Sequence, residues 1–431
     1  MLGWGLGARP PSPPPQGTQE EVGAMTVMPA PERPRIQVGT SVAAPPRRSH
    51  RWRWWVAAVL GLVLAGHVAG GWYFSGRIDS DVLAVTPGTM TPAFDDAQVV
   101  SLVGDRITLR RGADAAANFE APASYGLSWA GGTGHAGPAV VNPDGTVTRP
   151  LDLVTGVAPK AGQGAAIERA YYFGDPAKAL GLKTRTVTIA GAPAWYVPAA
   201  RSSVRTVAIF VHGRNGTRMD GLRFVEAAHR AGLPALVISY RNDEGAPADP
   251  SGRLQYGVTE WRDLDAAVAW AQKQGLRRVV LAGQSMGGAV VAAFLEHSSR
   301  GSAVAAVFLD CPMLSLSQMV TNGASSALPG GLAVPGSVVW VAEQIAGVRY
   351  GVDWGAVDYL DDTSWLRVPT LVTHGTADPT VPVTTSEQLR DAKPKLVKLV
   401  EFPRALHAES WNFDMYRWDG AVVTFLRPLA R

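Results

Sequence analysis

Short apolar, β-branched runs alternate with helical stretches along the C-terminal half of the chain. The runs are TVAIFVHG, ALVISY, RVVLAG, VAAVFLD, TLVTHG and KLVKLVEF, the first beginning at Thr206. Between them lie DGLRFVEAAHRAG, EWRDLDAAVAWAQKQG and GGAVVAAFLEHSS. In the second of these, Trp261, Leu264, Val268 and Ala271 recur at helical spacing on one face, while Arg262, Asp263 and Asp265 mostly point away. Near-continuous apolar strands alternating with helices predict a mainly parallel sheet covered on both faces, an α/β architecture. Ligands bind at the carboxyl ends of the strands in such sheets, so functional residues are expected directly after strands.

Upstream the period changes to two. QVVSLVGDRITLRR and GLKTRTVTIAGAPAWYVPA alternate with Gly or Asp turns between their halves, which predicts β-hairpins. In NPDGT, Asn142–Thr146, the proline presets φ and the glycine takes a positive φ, so this is a turn. Residues 78–200 therefore read as a β-rich segment packed on the C-terminal part. No chemical motif stands out in it.

Further upstream, Trp54–Phe74 gives about 21 residues without a formal charge when His67 is neutral, enough for a helix of roughly 30 Å. Trp52, Trp54 and Trp55 at one end, with Trp72 and Tyr73 at the other, stand where aromatic belts stand at a bilayer. Arg47, Arg48, Arg51 and Arg53 precede the span, whereas Arg77 after it is offset by Asp79 and Asp81. That asymmetry predicts a single-pass anchor over residues 51–75, with the N-terminus cytoplasmic and the large C-terminal part across the membrane. A cleaved signal peptide is the alternative, since Val63-Leu64-Ala65 has the small-residue pattern of a cleavage site. Residues 1–50 are dense in Pro, Gly and small polar residues and are expected to form a disordered tail, within which Met25 and Met28 are alternative starts.

Composition adds exclusions. The 431 residues carry a formal charge of +4, and much of that excess lies in the Arg-rich N-terminal region. No Lys/Arg stripe interleaved with aromatics appears elsewhere, which argues against nucleic acid as a partner. Cys311 is the only cysteine, so neither an internal disulfide nor a Cys-rich zinc site can form. The eight histidines show no HExxH or similar ligand spacing, and no metal or other cofactor is implied.

The chemistry concentrates in Gly283-Gln284-Ser285-Met286-Gly287, where a strand hands over to a small-residue helix. A sharp strand-to-helix turn strains the serine and lifts its Oγ clear of the sheet, and Gly283 and Gly287 provide the room this needs. The helix that follows aims free N–H groups at the same place. A nucleophilic serine needs a base, and the base needs an orienting acid. His407, in the loop after KLVKLVEF, is the candidate base; His297 falls on the helix surface and His374 precedes the acid. Asp378, in HGTADPTVP after another strand, is the candidate acid, with Asp310 at the end of VAAVFLD as its rival. In VHGRNG the backbone N–H of Arg214, together with that of Met286, is the candidate oxyanion hole, while His212 reads as a structural hydrogen-bonding residue.

VHGRNG, GQSMGG, HGTADPTVP and ALHAESW, in this order, resemble the α/β-hydrolase superfamily over Ser203–Arg431. Within it the chain looks like the serine-aminopeptidase and monoacylglycerol-lipase-like branch, including membrane-anchored bacterial members that carry an extra N-terminal region. The resemblance implies a serine hydrolase of an ester, thioester or amide. Arg214-Asn215 departs from the glycine or bulky apolar residue that lipases usually place in the oxyanion turn. Residues 312–368, rich in Gly, Pro and apolar side chains such as Leu328, Leu332, Val334, Val338, Val339 and Trp340, are expected to form a small helical cap or an ordinary connection. The expected fold is thus an α/β-hydrolase domain over 203–431, preceded by a β-rich segment and a transmembrane helix. The expected activity is ester cleavage through an acyl-enzyme. A peptidase acting on peptide amides and a non-catalytic envelope protein of the same fold are the alternatives.

Overall fold

The computed structural model describes residues 50–86, 88, 93–113, 115, 117–201 and 203–430; the tail before His50, with Met25 and Met28, lies outside them. The chain divides into two compact units at Val56/Ala57. Of the first, the described residues are the opening turns of helix α1 (Arg51–Arg77). The stretch Arg51–Leu83 is the one helical segment among the described residues long and apolar enough to cross a membrane. A signal sequence meets the same requirement of length and composition.

In the second unit the helix does not give way to strand at residue 78. It continues as a π-helical segment, Ile78–Leu83, and the first strand begins at Ala97. The extension is held by the catalytic part. Asp79 pairs with Arg253 at 2.6 Å, the Tyr256 hydroxyl donates to the Val82 carbonyl, and Leu254 N–H donates to the Leu83 carbonyl. These partners lie more than 170 residues downstream, so no local pattern announces them.

Seven strands follow: β1 (Ala97–Val103), β2 (Arg106–Arg111), β3 (Tyr125–Trp129), β4 (Gly132–Ala136), β5 (Val140–Val141), β6 (Val147–Gly156) and β7 (Gly164–Glu168). They pair antiparallel in the order β2-β1-β7-β3-β4-β6-β5, and β2 also pairs with β6. Six strands thus close into a barrel, with β5 added on β6. Closure removes free sheet edges. Ile107, Leu109, Leu127, Trp129 and Val147 fill its interior, in step with the two-residue alternation of the sequence. The β5–β6 connection is the turn at Asn142–Thr146, with Gly145 at φ 79°.

After a short helix α2 (Pro176–Leu180), a second sheet forms from β8 (Arg185–Ile189), β9 (Ala192–Val197), β10 (Thr206–Val211), β11 (Ala235–Ile238), β12 (Arg278–Gln284), β13 (Val304–Asp310), β14 (Thr370–Gly375) and β15 (Val397–Phe402). Its order is β15-β14-β13-β12-β10-β11-β9-β8, parallel throughout except for the β8–β9 hairpin and its junction with β11. That hairpin, read from the sequence as part of the upstream β-rich segment, belongs to this sheet. Residues 194–197 cover the open edge of β11. Period-two alternation identifies a strand without saying which sheet it joins.

The helices between the strands are α3 (Leu222–Arg230), α4 (Trp261–Lys273), α5 (Met286–His297), α6 (Leu316–Ala324), α7 (Gly336–Tyr350), α8 (Thr384–Ala392), α9 (Ser410–Phe413) and α10 (Met415–Leu426). Successive strand residues feed opposite cores: Val207, Ile209 and Val211 face one, Ala208 and Phe210 the other. Both faces are therefore covered, as the unbroken apolar runs require. The chain leaves β10 toward β11, then returns to place β12 on the other side of β10. The order reverses there, and in such sheets ligands bind at the carboxyl ends of the strands beside the reversal. Helices α6 and α7 form an insertion between β13 and β14.

Candidate active site

Ser285 stands at the end of β12 and starts α5, with φ 52° and ψ −121°. A positive φ is costly for a residue with a Cβ, of order 1–3 kcal/mol, and persists only where neighbours enforce it. They do so here by crowding. A Cβ on Gly283 would lie 2.6 Å from the Gly287 carbonyl carbon, and one on Gly287 would lie 2.7 Å from the His212 carbonyl oxygen. The Ser285 N–H donates to the Asp310 carbonyl, and the Ser285 carbonyl accepts from Gly288 and Met313.

His407, in the loop after β15, places Nε2 2.8 Å from Ser285 Oγ and Nδ1 2.6 Å from Asp378 Oδ2. Asp378 lies in the loop after β14 with its side chain fully buried, whereas that of His407 is 15% exposed. The other carboxylate oxygen, Oδ1, accepts the N–H groups of Thr380 and Val381 at 2.8 and 2.9 Å. Burial alone would raise the Asp378 carboxyl. Hydrogen bonds from His374 and His407, with their charge, outweigh it and hold the group well below the usual carboxylate range.

His374 is the residue whose role sequence reasoning missed. It is fully buried, with Nε2 3.3 Å from Asp378 Oδ2 and 3.0 Å from the Val381 carbonyl, and Nδ1 2.7 Å from Ser386 Oγ. Nε2 faces acceptors, so it carries the proton, and it steadies the same carboxylate oxygen that His407 meets. The one available signal was its spacing, four residues before the acid. Asp310, the rival acid, is not near His407 in this way; its two oxygens accept from Gln284 Nε2 at 3.3 Å and Thr373 Oγ1 at 2.8 Å.

His212 is fully buried and stacked on Tyr240, with Nδ1 2.9 Å from the Gly213 carbonyl and Nε2 2.8 Å from Asp243. Burial opposes its charge, but Asp243 outweighs burial and raises the imidazolium above its ordinary range. His297 lies half-exposed on the surface. The turn after β10 sits against the serine: a Cβ on Gly213 would fall 3.0 Å from Ser285 Cβ. Arg214, in that turn, lines the cavity at Ser285, and its guanidinium donates to the Asp81 carbonyl. Met286 is buried as the first residue of α5.

The cavity over Ser285 measures about 330 Å³ and takes a wall from the barrel side, through Asn118 and Arg169. The junction is polar and buried. Glu409, two residues after His407, accepts from Tyr125 hydroxyl at 2.6 Å and Asn118 Nδ2 at 3.2 Å. Burial raises its carboxyl, against the Tyr125 hydrogen bond and the charge of Arg169. Arg149, buried inside the barrel, donates to the carbonyls of Ala121, Ala123 and Gly137 and so fixes the loop that carries Asn118. Asn412 donates to the carbonyls of Ser124 and Arg169 and accepts from Arg223. Asn412→Ala would leave the buried Arg223 guanidinium and two carbonyls without these partners. A loss of about 1–3 kcal/mol of unfolding free energy is expected, read from the denaturant midpoint.

Cys311 Sγ lies within 4.8 Å of ligand atoms of Asp378 and His407. The donor set does not suit a metal. Asp378 and His407 already engage each other, and burial pushes the Cys311 thiol well above its ordinary value, away from the thiolate a metal needs.

Residues 208–418 match the model of the alpha/beta hydrolase family, and residues 98–168 match a domain of unknown function, DUF8805. The chain is 24% identical over 233 residues to the uncharacterized protein YfhR of Escherichia coli O157:H7, covering 52% of this chain and 72% of the relative. Against YfhR of Salmonella typhimurium LT2 the identity is 25% over 251 residues, covering 54% and 76%. Superposition on the Pyrococcus furiosus esterase Pf2001 gives a TM-score of 0.46 at 18% identity, covering 59% of this chain and 95% of that one.

Proposed function

We propose that this chain, whose residues 208–418 carry an α/β-hydrolase domain, is a serine hydrolase that cleaves a carboxylic ester through an acyl-enzyme. The observation that carries the reading is the continuous hydrogen-bonded line from Ser285 Oγ through the His407 ring to Asp378. His407 Nε2 takes the hydroxyl proton as Oγ attacks the acyl carbonyl, and Asp378 fixes the Nδ1–H tautomer and stabilises the imidazolium. The carbonyl oxygen gains charge and accepts from the N–H groups of Met286 and Arg214, with the positive end of α5 behind it. Collapse breaks the ester C–O bond, and the alcohol leaves with the proton from His407. Water, deprotonated by the same imidazole, then attacks the acyl-Ser285 carbon; the Oγ–acyl bond breaks as Oγ takes the proton back from His407, and the acid departs. No cofactor enters this sequence.

Helix α1 is read as a single-pass anchor, with the arginines before it on the cytoplasmic side and the catalytic part across the membrane. The insertion carrying α6 and α7 serves as the cap, since Met319 of α6 lines the serine cavity. Turnover of p-nitrophenyl butyrate and its matched p-nitroanilide by the full chain tests the reaction class. Faster ester cleavage is expected. Faster amide cleavage would move the assignment to a peptidase.

A further inference from the structure

A second cavity, of about 680 Å³, adjoins the one over Ser285, and the two share Arg214, Met319, Pro379 and Thr380 in their walls. One side of this groove is the end of the anchor, Tyr73, Phe74 and Ile78. The other is the insertion, through Val320, Leu328, Val334 and Val339. The two sides are fastened together. Gly70 and Gly71 give α7 close approach, since side chains there would press on Val338 and Val341. His67 Nε2 lies 2.9 Å from Ser337 Oγ, and the Arg349 guanidinium sits 3.9 Å over the Trp72 ring. Asn322 Nδ2 donates to the Pro379 carbonyl, tying the insertion to the loop that carries Asp378.

This packing sets the level of the groove. His67 through Trp72 belong to the apolar stretch of α1, so α7 lies beside the last membrane turns of the anchor rather than above them. The insertion also presents apolar side chains outward: Leu332 is 65% exposed, Trp340 61% and Val348 91%. In water such a patch is unfavourable, and at a bilayer surface it is solvated by lipid.

We propose that the groove between α1 and the insertion is an acyl-chain site, and that the substrate is a membrane-resident acyl ester drawn from the leaflet past Tyr73 and Phe74 to Ser285. The proposal rests on Ser285 being the nucleophile and α1 the anchor. The anchor is then a wall of the substrate site as well as a tether. One chain of a lipid is the occupant the walls fit, because most of the lining is apolar and its charged members are the Arg77–Asp81 pair and Arg214.

Gly323 of α6 lines the groove, and a Cβ there meets nothing within 4 Å. Gly323→Trp therefore fills the channel without touching Ser285, His407 or Asp378, and Gly323→Ala leaves it open. The test compares kcat/KM for p-nitrophenyl butyrate and p-nitrophenyl laurate, using the full chain in dodecylmaltoside micelles. The wild-type chain is expected to turn over laurate faster than butyrate. Gly323→Trp is expected to lower laurate turnover at least tenfold while leaving butyrate within twofold, and Gly323→Ala to leave both unchanged. Butyrate turnover reports that the variant is folded. A flat chain-length profile, or a Gly323→Trp variant that loses both substrates together or neither, would overturn the acyl site alone. A wild-type chain that turns over neither ester and takes no fluorophosphonate would overturn the serine-hydrolase reading beneath it.

Discussion

His407→Ala is expected to lower kcat for p-nitrophenyl butyrate by about four to six orders of magnitude, with little change in the unfolding midpoint. The size follows from what Nε2 does. Without it Ser285 Oγ keeps its proton, and among the described residues no other ring nitrogen is hydrogen-bonded to that hydroxyl. His212 is tied to Asp243 and Gly213, and His374 faces Asp378 and Ser386. The small stability effect follows from exposure, since the ring is partly open to the cavity, whereas Asp378 is fully buried. Combining His407→Ala with Ser285→Ala is expected to add almost nothing, because the two act as one unit. Steady-state kinetics and a denaturant titration of the three variants check both statements.

Asp378→Asn is expected to lower kcat about 10⁴-fold while preserving the backbone. The direction of the new amide is forced. The N–H groups of Thr380 and Val381 point at Oδ1 and require an oxygen there, so the NH₂ takes the place of Oδ2. It then faces His407 Nδ1 and His374 Nε2, both of which need an acceptor. The His407 ring responds by moving its proton to Nε2, the tautomer that cannot take one from Ser285. A secondary effect concerns stability. The native carboxyl is held below its unfolded value, so its contribution is present above the ordinary carboxylate range and is lost only as pH falls through the lower native one. Asp378→Asn is therefore expected to flatten the acid limb of the stability–pH curve, as measured by denaturant midpoints between pH 2 and 6.

The parts of this site that the sequence made legible are those written locally. Ser285 announces itself because a tight elbow needs Gly283 and Gly287 within two residues of it, and because a β-branched run precedes it and a helix follows. Asp378 and His407 are legible because each follows its own strand in a sheet whose functional ends are known from topology. The parts that were not legible depend on partners far along the chain. Glu409 meets Asn118 and Tyr125 across more than 280 residues, and Asn412 meets Ser124 across 288. Barrel closure through β2 and β6 is equally non-local, because alternation is satisfied by open and closed sheets alike. The same holds for α1. Its composition speaks of a membrane, but nothing in its pattern says that Gly70 and Gly71 receive α7. Period and motif describe elements; which faces meet is decided by tertiary packing.

The barrel also gives the cavity something the local motifs lack. Arg169 and Asn118 reach the same space as Ser285 from a segment that shares no sheet with it. The Arg149 network holds the Asn118 side of that wall in place by hydrogen bonds to the Asn118 and Phe119 carbonyls. The β-rich segment therefore shapes the serine cavity on one side, as helix α1 and the insertion shape the groove on the other.

The most direct measurement is the site of covalent capture. The full chain is treated with a fluorophosphonate, and the adduct is located by mass spectrometry of its peptides. One adduct on Ser285 is expected, absent from Ser285→Ala and formed far more slowly in His407→Ala. Labelling of Ser285→Ala at the wild-type rate, or an adduct on any other residue, would contradict the assignment of Ser285 as the nucleophile.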